Sequence, residues 1–389
     1  MRCKAVVLLV VMAVIVYSIP ALSQQVNFNF IGAGARARGM GGAFIGVADD
    51  ATAISWNPAG LATLERPEGS IVGYYSASKY NIDIENLVGT EYSESHPVFN
   101  FGSIAYPLAT SGKNFVIAGA YQRLIDLYGK SETDDGNETW ETKGGVDAIS
   151  PGVGIQLTPE VAVGAAFNIW TGGTDYKYEN KSNPSLNIDQ KNLDKFSGFN
   201  VNIGVLAQFQ QVKVGAVVKT PLTLTDEYTQ NDSTYKDKFK FPMTYGFGIS
   251  FAPNENLTLA ADVDIRPYSK TDIVDGMDDT TYSGLLNNTT QIRAGMEYLF
   301  IGESAVFPVR LGFHTEPLIQ NPFYPSEDAT VSGNYFTAGF GVIFGNIWFD
   351  LAYEIGTVKT DSDVWFAGYN STYKLTRQNV ILSAIVHFE

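Results

Sequence analysis

The 389-residue chain is rich in glycine, tyrosine and phenylalanine (38, 21 and 24 residues), and it sets 41 acidic side chains against 26 lysines and arginines for a formal net charge of −15. That acidity leaves no footprint for a phosphate backbone, so no nucleic-acid partner is expected. A single cysteine, Cys3, and three histidines, His96, His314 and His387, argue against a disulfide framework, a metal centre and a cysteine or serine–histidine hydrolase, so neither a cofactor nor a catalytic residue is expected.

At the N-terminus, Arg2 and Lys4 precede an apolar run from Ala5 to Tyr17, and Ala21-Leu22-Ser23 supplies the small-x-small pattern read by signal peptidase. The run is shorter than the ~20 residues that span a bilayer, and Pro20 interrupts it. Residues 1–23 therefore read as a cleaved export signal. Its two positive charges leave with it, taking the net charge from −15 to −17.

Residues 24–67 open with Gly32-x-Gly34-x-x-Ala37, the letters of a dinucleotide-binding turn, followed by Asp49 and Asp50. Such a turn needs a strand before it and a helix after it. Only Gln24 to Ile31 precede the first glycine, and Gly39, Gly41, Gly42 and Gly46 would each cost a helix about 1 kcal/mol. A glycine-rich, small-residue segment can instead fold on itself inside a lumen, where protein and water surround irregular backbone. Residues 24–67 are accordingly expected to form a plug, and residues 68–389 the domain that holds it.

From residue 69 onward the pattern alternates with a period of two. Leu257, Leu259, Ala261, Val263 and Ile265 share one face, and Thr258, Asp262, Asp264 and Arg266 the other. The same alternation recurs at 161–169, 292–300, 347–355 and 380–388. Strands are predicted at 69–80, 98–108, 114–128, 146–156, 161–176, 196–209, 212–224, 239–252, 257–266, 290–300, 306–316, 335–344, 347–356 and 377–388. These fourteen have about the length that a tilted strand needs to cross a bilayer. Their connections alternate between tight turns, such as Gln210-Gln211 and Gly345-Asn346, and long polar stretches at 81–97, 129–145, 177–195, 225–238, 267–289, 317–334 and 357–376. Short periplasmic turns and long outer loops are the pattern of an outer-membrane barrel. The expected fold is all-β: a 14-stranded antiparallel transmembrane β-barrel with an N-terminal plug, in a Gram-negative type of outer membrane.

The long connections carry most of the acidic excess, so the outer rim is expected to be acidic and able to share divalent cations with lipopolysaccharide. Neither "SETDDGNETWE" (131–141) nor "DGMDD" (275–279) has the alternating aspartates of a calcium loop. In strand 335–344, Phe340 is expected to face lipid and Thr337 the lumen, where an arginine would be better tolerated. On the lumen face, Arg266, Arg293 and Arg310 stand among Asp262, Asp264, Glu297, His314, Glu316, Asp350 and Glu354. Two readings are open for these arginines: ion pairs that fill the wall and tie the plug, or contacts to a ligand carboxylate.

"ADDA" at 48–51, five residues, then "NPA" at 57–59, together with "RGMGGAF" at 38–44, resembles the hatch signature of the long-chain fatty acid transporter (FadL-like) family of outer-membrane proteins, which includes aromatic-hydrocarbon transporters. The resemblance covers the whole chain after the signal. It implies that the plug is a hatch and that Asp49, Asp50, Asn57, Pro58 and Ala59 are its motif. It also implies that a hydrophobic ligand enters from outside, passes by diffusion, and leaves sideways at a kink in the third strand, for which Gly119 is the candidate. Outer-membrane lipids, lipopolysaccharide and the barrel assembly machinery are the other partners implied. The third and fourth outer loops, 177–195 and 225–238, are short and polar where fatty acid transporters of the family build an apolar groove; the most apolar loop is the sixth, "PLIQNPFYPSEDA" (317–329). The alternative is a protein-interaction barrel, because relatives of this architecture serve as accessory or shuttle subunits of secretion machines. A continuous apolar path past the hatch would favour transport, and a sealed or charge-packed lumen the interaction role.

Overall fold

In the computed structural model, residues 32–84, 90–110, 113–133, 136–230, 232–319, 332–366 and 369–388 are described. Residues 1–31, which include the expected export signal, and most of the sixth long connection lie outside them. Fourteen antiparallel strands close into a barrel. They are β1 (Glu68–Ile84), β2 (Thr90–Thr110), β3 (Lys113–Asp126, continued by Gly129–Glu132), β4 (Glu138–Gln156), β5 (Val161–Asn180), β6 (Ile188–Phe209), β7 (Val212–Lys219 and Leu222–Gln230), β8 (Ser233–Phe241 and Thr244–Asn254), β9 (Leu257–Arg266, with Asp272–Val274), β10 (Thr281–Ser283 and Thr289–Ile301), β11 (Val306–Pro317), β12 (Ser332–Phe344), β13 (Ile347–Phe366) and β14 (Tyr369–His387). Closure comes from β1 and β14, which pair from Glu68–His387 to Ile84–Ser371 and so leave no free edge.

The alternation is inverted relative to a soluble sandwich. On β9, Leu259 and Ile265 are 41% and 43% exposed, whereas Asp262 and Arg266 are 4% and 3% exposed. Apolar side chains point outward around the whole wall, among them Ile104, Phe167, Phe247, Phe340 and Leu382. Only a lipid surround makes that arrangement favourable.

Most of the stretches read as long loops are in fact strand. Residues 81–84, 90–97, 138–145, 188–195 and 357–366 continue the ladders, and 225–238 is one hairpin that turns at Asp232 in the left-handed region (φ 62°). Beyond the membrane both faces of a hairpin meet water, so backbone pairing persists while the hydrophobic alternation that marks it disappears.

Three prolines shape the outer half of the lumen. β7 breaks at Thr220-Pro221, β8 at Pro242-Met243, and β9 stops before Pro267, because proline cannot donate to a ladder. Past these breaks Leu222, Leu224, Phe241 and Tyr268 turn inward and join Ile125, Leu127, Val146 and Trp170 in a buried apolar cluster. A second buried cluster lies at the level of the hatch.

Candidate functional site: the hatch and the lumen above it

Residues 32–64 lie inside the barrel before β1 begins, most of them buried, and Glu65 and Arg66 after them are exposed. Two short helices, α1 (Ala35–Gly39) and α2 (Ala53–Trp56), and a 3-10 helix at Pro58–Thr63 are joined by turns. None would be stable alone, since helices this short do not repay nucleation. Their stability comes from the wall.

Asn57 is the main fastener. Its Oδ1 accepts from Ala59 N at 3.1 Å and caps the 3-10 helix, where Pro58 suits the first turn. Its Nδ2 donates to Ile45 O in the hatch and to Val205 O on β6, both at 3.0 Å. Such an approach requires a wall without side chains. A Cβ on Gly204 would lie 2.0 Å from Asn57 Oδ1, and one on Gly164 would lie 2.2 Å from Pro58 O. The two halves of the motif also cross, since a Cβ on Gly60 would meet Ala48 O at 1.8 Å.

Charge locks the rest. Arg36 on α1 binds Asp49 at 2.6 Å, Asp50 at 3.5 Å and Glu297 of β10 at 2.9 Å. Asp50 Oδ1 accepts from Thr52 N and Oγ1 at the turn into α2. Burial, with Glu68 beside it, pushes the Asp50 carboxyl up. Arg38 reaches Glu354 of β13 at 2.6 Å. Thr337 faces the lumen, but it is not a tolerant position: its Oγ1 donates to Gly39 O at 2.8 Å and accepts from Gly41 N at 3.0 Å, so the hatch already fills the space an arginine would need.

The three arginines singled out by alternation lie at this level and above it. Arg310 binds Glu297 and Asp350, each at 2.6 Å. Arg293 pairs with Asp264, approaches Asp262 at 3.7 Å, and sets its guanidinium 5.5 Å from the Trp56 ring. Arg266 binds Asp264 and Gln291, each at 2.9 Å. All three are engaged by wall groups, and Arg293 reaches the hatch as well.

Above the hatch, and below the apolar cluster, lies a cavity of about 50 Å³. That is room for a few waters or one small head group. Sequence reasoning did not find its polar wall. Gln122 Nε2 donates to Ser150 Oγ, Ser150 Oγ to Asn168 Oδ1, Asn168 Nδ2 to Asn200 Oδ1, and Asn200 Nδ2 to Asn202 Oδ1, over 2.8–3.2 Å, across β3 to β6. Trp170 Nε1 joins at Asn200. The signal for it is the set of amides at lumen-facing positions in "AAFNIW" and "GFNVNIG".

Gly119 is paired on both sides, with Ile104 and Pro151, and open space stands where its Cβ would be. The register shift in β3 falls between Arg123 and Ile125. Among the described residues, pairing of β2 with β3 stops at Phe101–Gln122. Above that point side chains span the seam: Asn100 Nδ2 donates to Arg123 O, His96 pairs with Asp126, and Tyr92 Oη accepts from Lys130 N.

The fold matches solved outer-membrane channels along its whole length. A Pseudomonas aeruginosa FadL homologue superposes with a TM-score of 0.64 at 12% identity, over 92% of this chain and 99% of that one. The Pseudomonas putida toluene transporter TodX gives 0.64 at 14% identity, over 93% and 100%. The Ralstonia pickettii toluene transporter TbuX gives 0.57 at 14% identity, over 93% and 100%. Comparison with curated proteins gives no match. Two family models match overlapping parts of the sequence, BamG over residues 10–236 and the type IX secretion system membrane protein PorP/SprF over residues 168–366. Each match spans more than half of the chain, which therefore belongs to the BamG family and to the PorP/SprF family, on the 14-stranded, hatch-plugged outer-membrane barrel of the FadL type.

Proposed function

We propose that this chain is a passive, hatch-gated channel for a hydrophobic small molecule in a Gram-negative type of outer membrane, with the arrangement described above as its closed state. The observation that supports this most is the layering of the lumen: a buried apolar cluster at the outer mouth, a small polar cavity beneath it, and a hatch held to the wall by a few polar contacts centred on Asn57. A ligand would part the apolar cluster, reach the cavity, and leave by the side-chain seam between β2 and β3 once the hatch yields. Diffusion drives such passage. The solved channels of this fold named above include toluene transporters, which supports a small hydrocarbon as cargo. The test is uptake of labelled toluene and of a labelled medium-chain fatty acid by cells with and without the gene, at limiting concentration. Faster uptake of either compound with the gene supports the reading, and identical uptake of both refutes it.

A second reading has its own observations. The PorP/SprF match and the charge-packed lumen at hatch level, the arrangement expected of the interaction role, fit a barrel that serves as an accessory subunit of a protein secretion system. Loss of protein export on deletion of the gene, with uptake unchanged, would favour it.

A further inference from the structure

The chain is acidic, yet one outward face above the membrane is basic. On the outer piece of β8, Phe239 and Phe241 pack inward on the apolar cluster, so Lys236, Lys238 and Lys240 share the opposite, exposed face, spaced about 7 Å apart along the strand. Neighbouring strands extend the patch. Lys195 of β6 and Lys236 flank Glu227 of β7, Ser197 of β6 and Lys238 flank Thr225, and Lys240 stands between Thr223 of β7 and Asp272 of β9. Lys270, also exposed, lies two residues before Asp272. Five lysines thus meet two carboxylates, and both carboxylates are engaged: Glu227 binds Lys236 at 2.9 Å, and Asp272 accepts from Ser283 Oγ. Among the described residues, Lys195, Lys238, Lys240 and Lys270 form no ion pair. Lys79, Lys143 and Lys177, exposed on other strands, each hold a carboxylate at 2.6–2.9 Å. The patch begins where lipid contact ends, since Phe199 on β6, Tyr245 on β8 and Ile265 on β9 are the uppermost exposed apolar side chains below it. From Lys240 to Lys236 a strand tilted by ~40° rises about 10 Å along the membrane normal, more than the ~5–8 Å of a phospholipid headgroup layer.

We propose that this outward face of β6 to β9 docks one lipopolysaccharide molecule. Lys238 and Lys240 take phosphates of its lipid A and inner sugars, which stand at more than one height, and the acyl chains lie along Phe199, Tyr245 and Ile265. Lysine ammonium groups bind phosphate directly, so this face needs no divalent cation shared with an acidic rim. The inference rests on the outer-membrane placement alone and is independent of the cargo.

The experiment titrates the full chain, in nonionic detergent with EDTA, and counts bound lipid by native mass spectrometry. The probes are a rough lipopolysaccharide (lipid A with its inner sugars), the same molecule dephosphorylated, and phosphatidylglycerol. The wild type should bind one copy of the first at least about tenfold more tightly than either of the others, the difference that two lysines make at an anionic surface. Lys238→Gln with Lys240→Gln should remove that preference, the corresponding pair of arginines should keep it, and Lys143→Gln with Lys177→Gln should leave it unchanged. Should the glutamine pair fail to fold, each single glutamine variant decides the matter, with a loss of about fivefold expected. An unchanged preference in the Lys238 and Lys240 variants overturns the inference, as does absence of binding by the wild type. Binding that appears only when calcium replaces EDTA assigns the lipid to the acidic rim and overturns it too. Phosphatidylglycerol bound as tightly as lipopolysaccharide reduces the face to a contact for any anionic lipid. Each of these failures leaves the channel reading intact.

Discussion

Replacing Asn57 by alanine tests how the hatch is held. The side chain is fully buried and makes three hydrogen bonds, to Ala59 N, Ile45 O and Val205 O. Loss of the cap costs about 1 kcal/mol. Each buried carbonyl left without its donor costs about 1–3 kcal/mol, so with the cap the sum is about 3–7 kcal/mol. That cost falls on the hatch and not on the strands, whose ladders are untouched. The barrel should therefore stay folded and heat-modifiable on gels, while amides of residues 44–47 and Ala59 exchange at least about a hundredfold faster, since each 1.4 kcal/mol is tenfold in local opening. Leak conductance in planar bilayers should rise. Gly204→Ala should reproduce the effect from the wall side, because its Cβ would sit where Asn57 Oδ1 is. Wild-type exchange and conductance in a correctly inserted Asn57→Ala protein would refute the reasoning.

Three further outcomes are expected. Phe340→Arg, on the lipid face, should cost about 2–4 kcal/mol in folding titrations from liposomes if it lies near the bilayer midplane, whereas Thr337→Arg should displace the hatch and raise leak; small, equal losses without leak would contradict both. Arg310→Met leaves Asp350 buried without its counter-ion and should cost about 3–5 kcal/mol, and adding Asp350→Leu should recover part of it; no recovery in the same titration would argue against the pair. Single cysteines at Ser233 and Asp278 should react with an impermeant thiol reagent on intact cells and one at Glu255 should not, and the reverse labelling would invert the topology.

The strands were legible wherever one face meets lipid and the other the lumen, as in residues 257–266, because the bilayer forces a period of two. The protruding hairpins were not legible, since 225–238 pairs through its backbone with water on both sides and leaves no hydrophobic trace. For the hatch, the crossing of Ala48 with Gly60 and the three bonds of Asn57 give a physical reason for the spacing between "ADDA" and "NPA". Arg36 and Arg38, which tie α1 to β10 and β13, went unnoticed because their partners are more than 250 residues away.

The central claim is that passage requires the hatch to move. Ala35 N donates to Ser383 Oγ at 3.3 Å, which places α1 against β14, and Cys3, far from both in the sequence, is the chain's only native cysteine. A protein carrying Ala35→Cys and Ser383→Cys can therefore be tethered or released by oxidation and reduction alone. Uptake of labelled substrate by cells expressing it should fall to the level of cells lacking the gene when the pair is oxidised, and return on reduction. Equal uptake in both states, with the disulfide shown to be formed, would contradict the account.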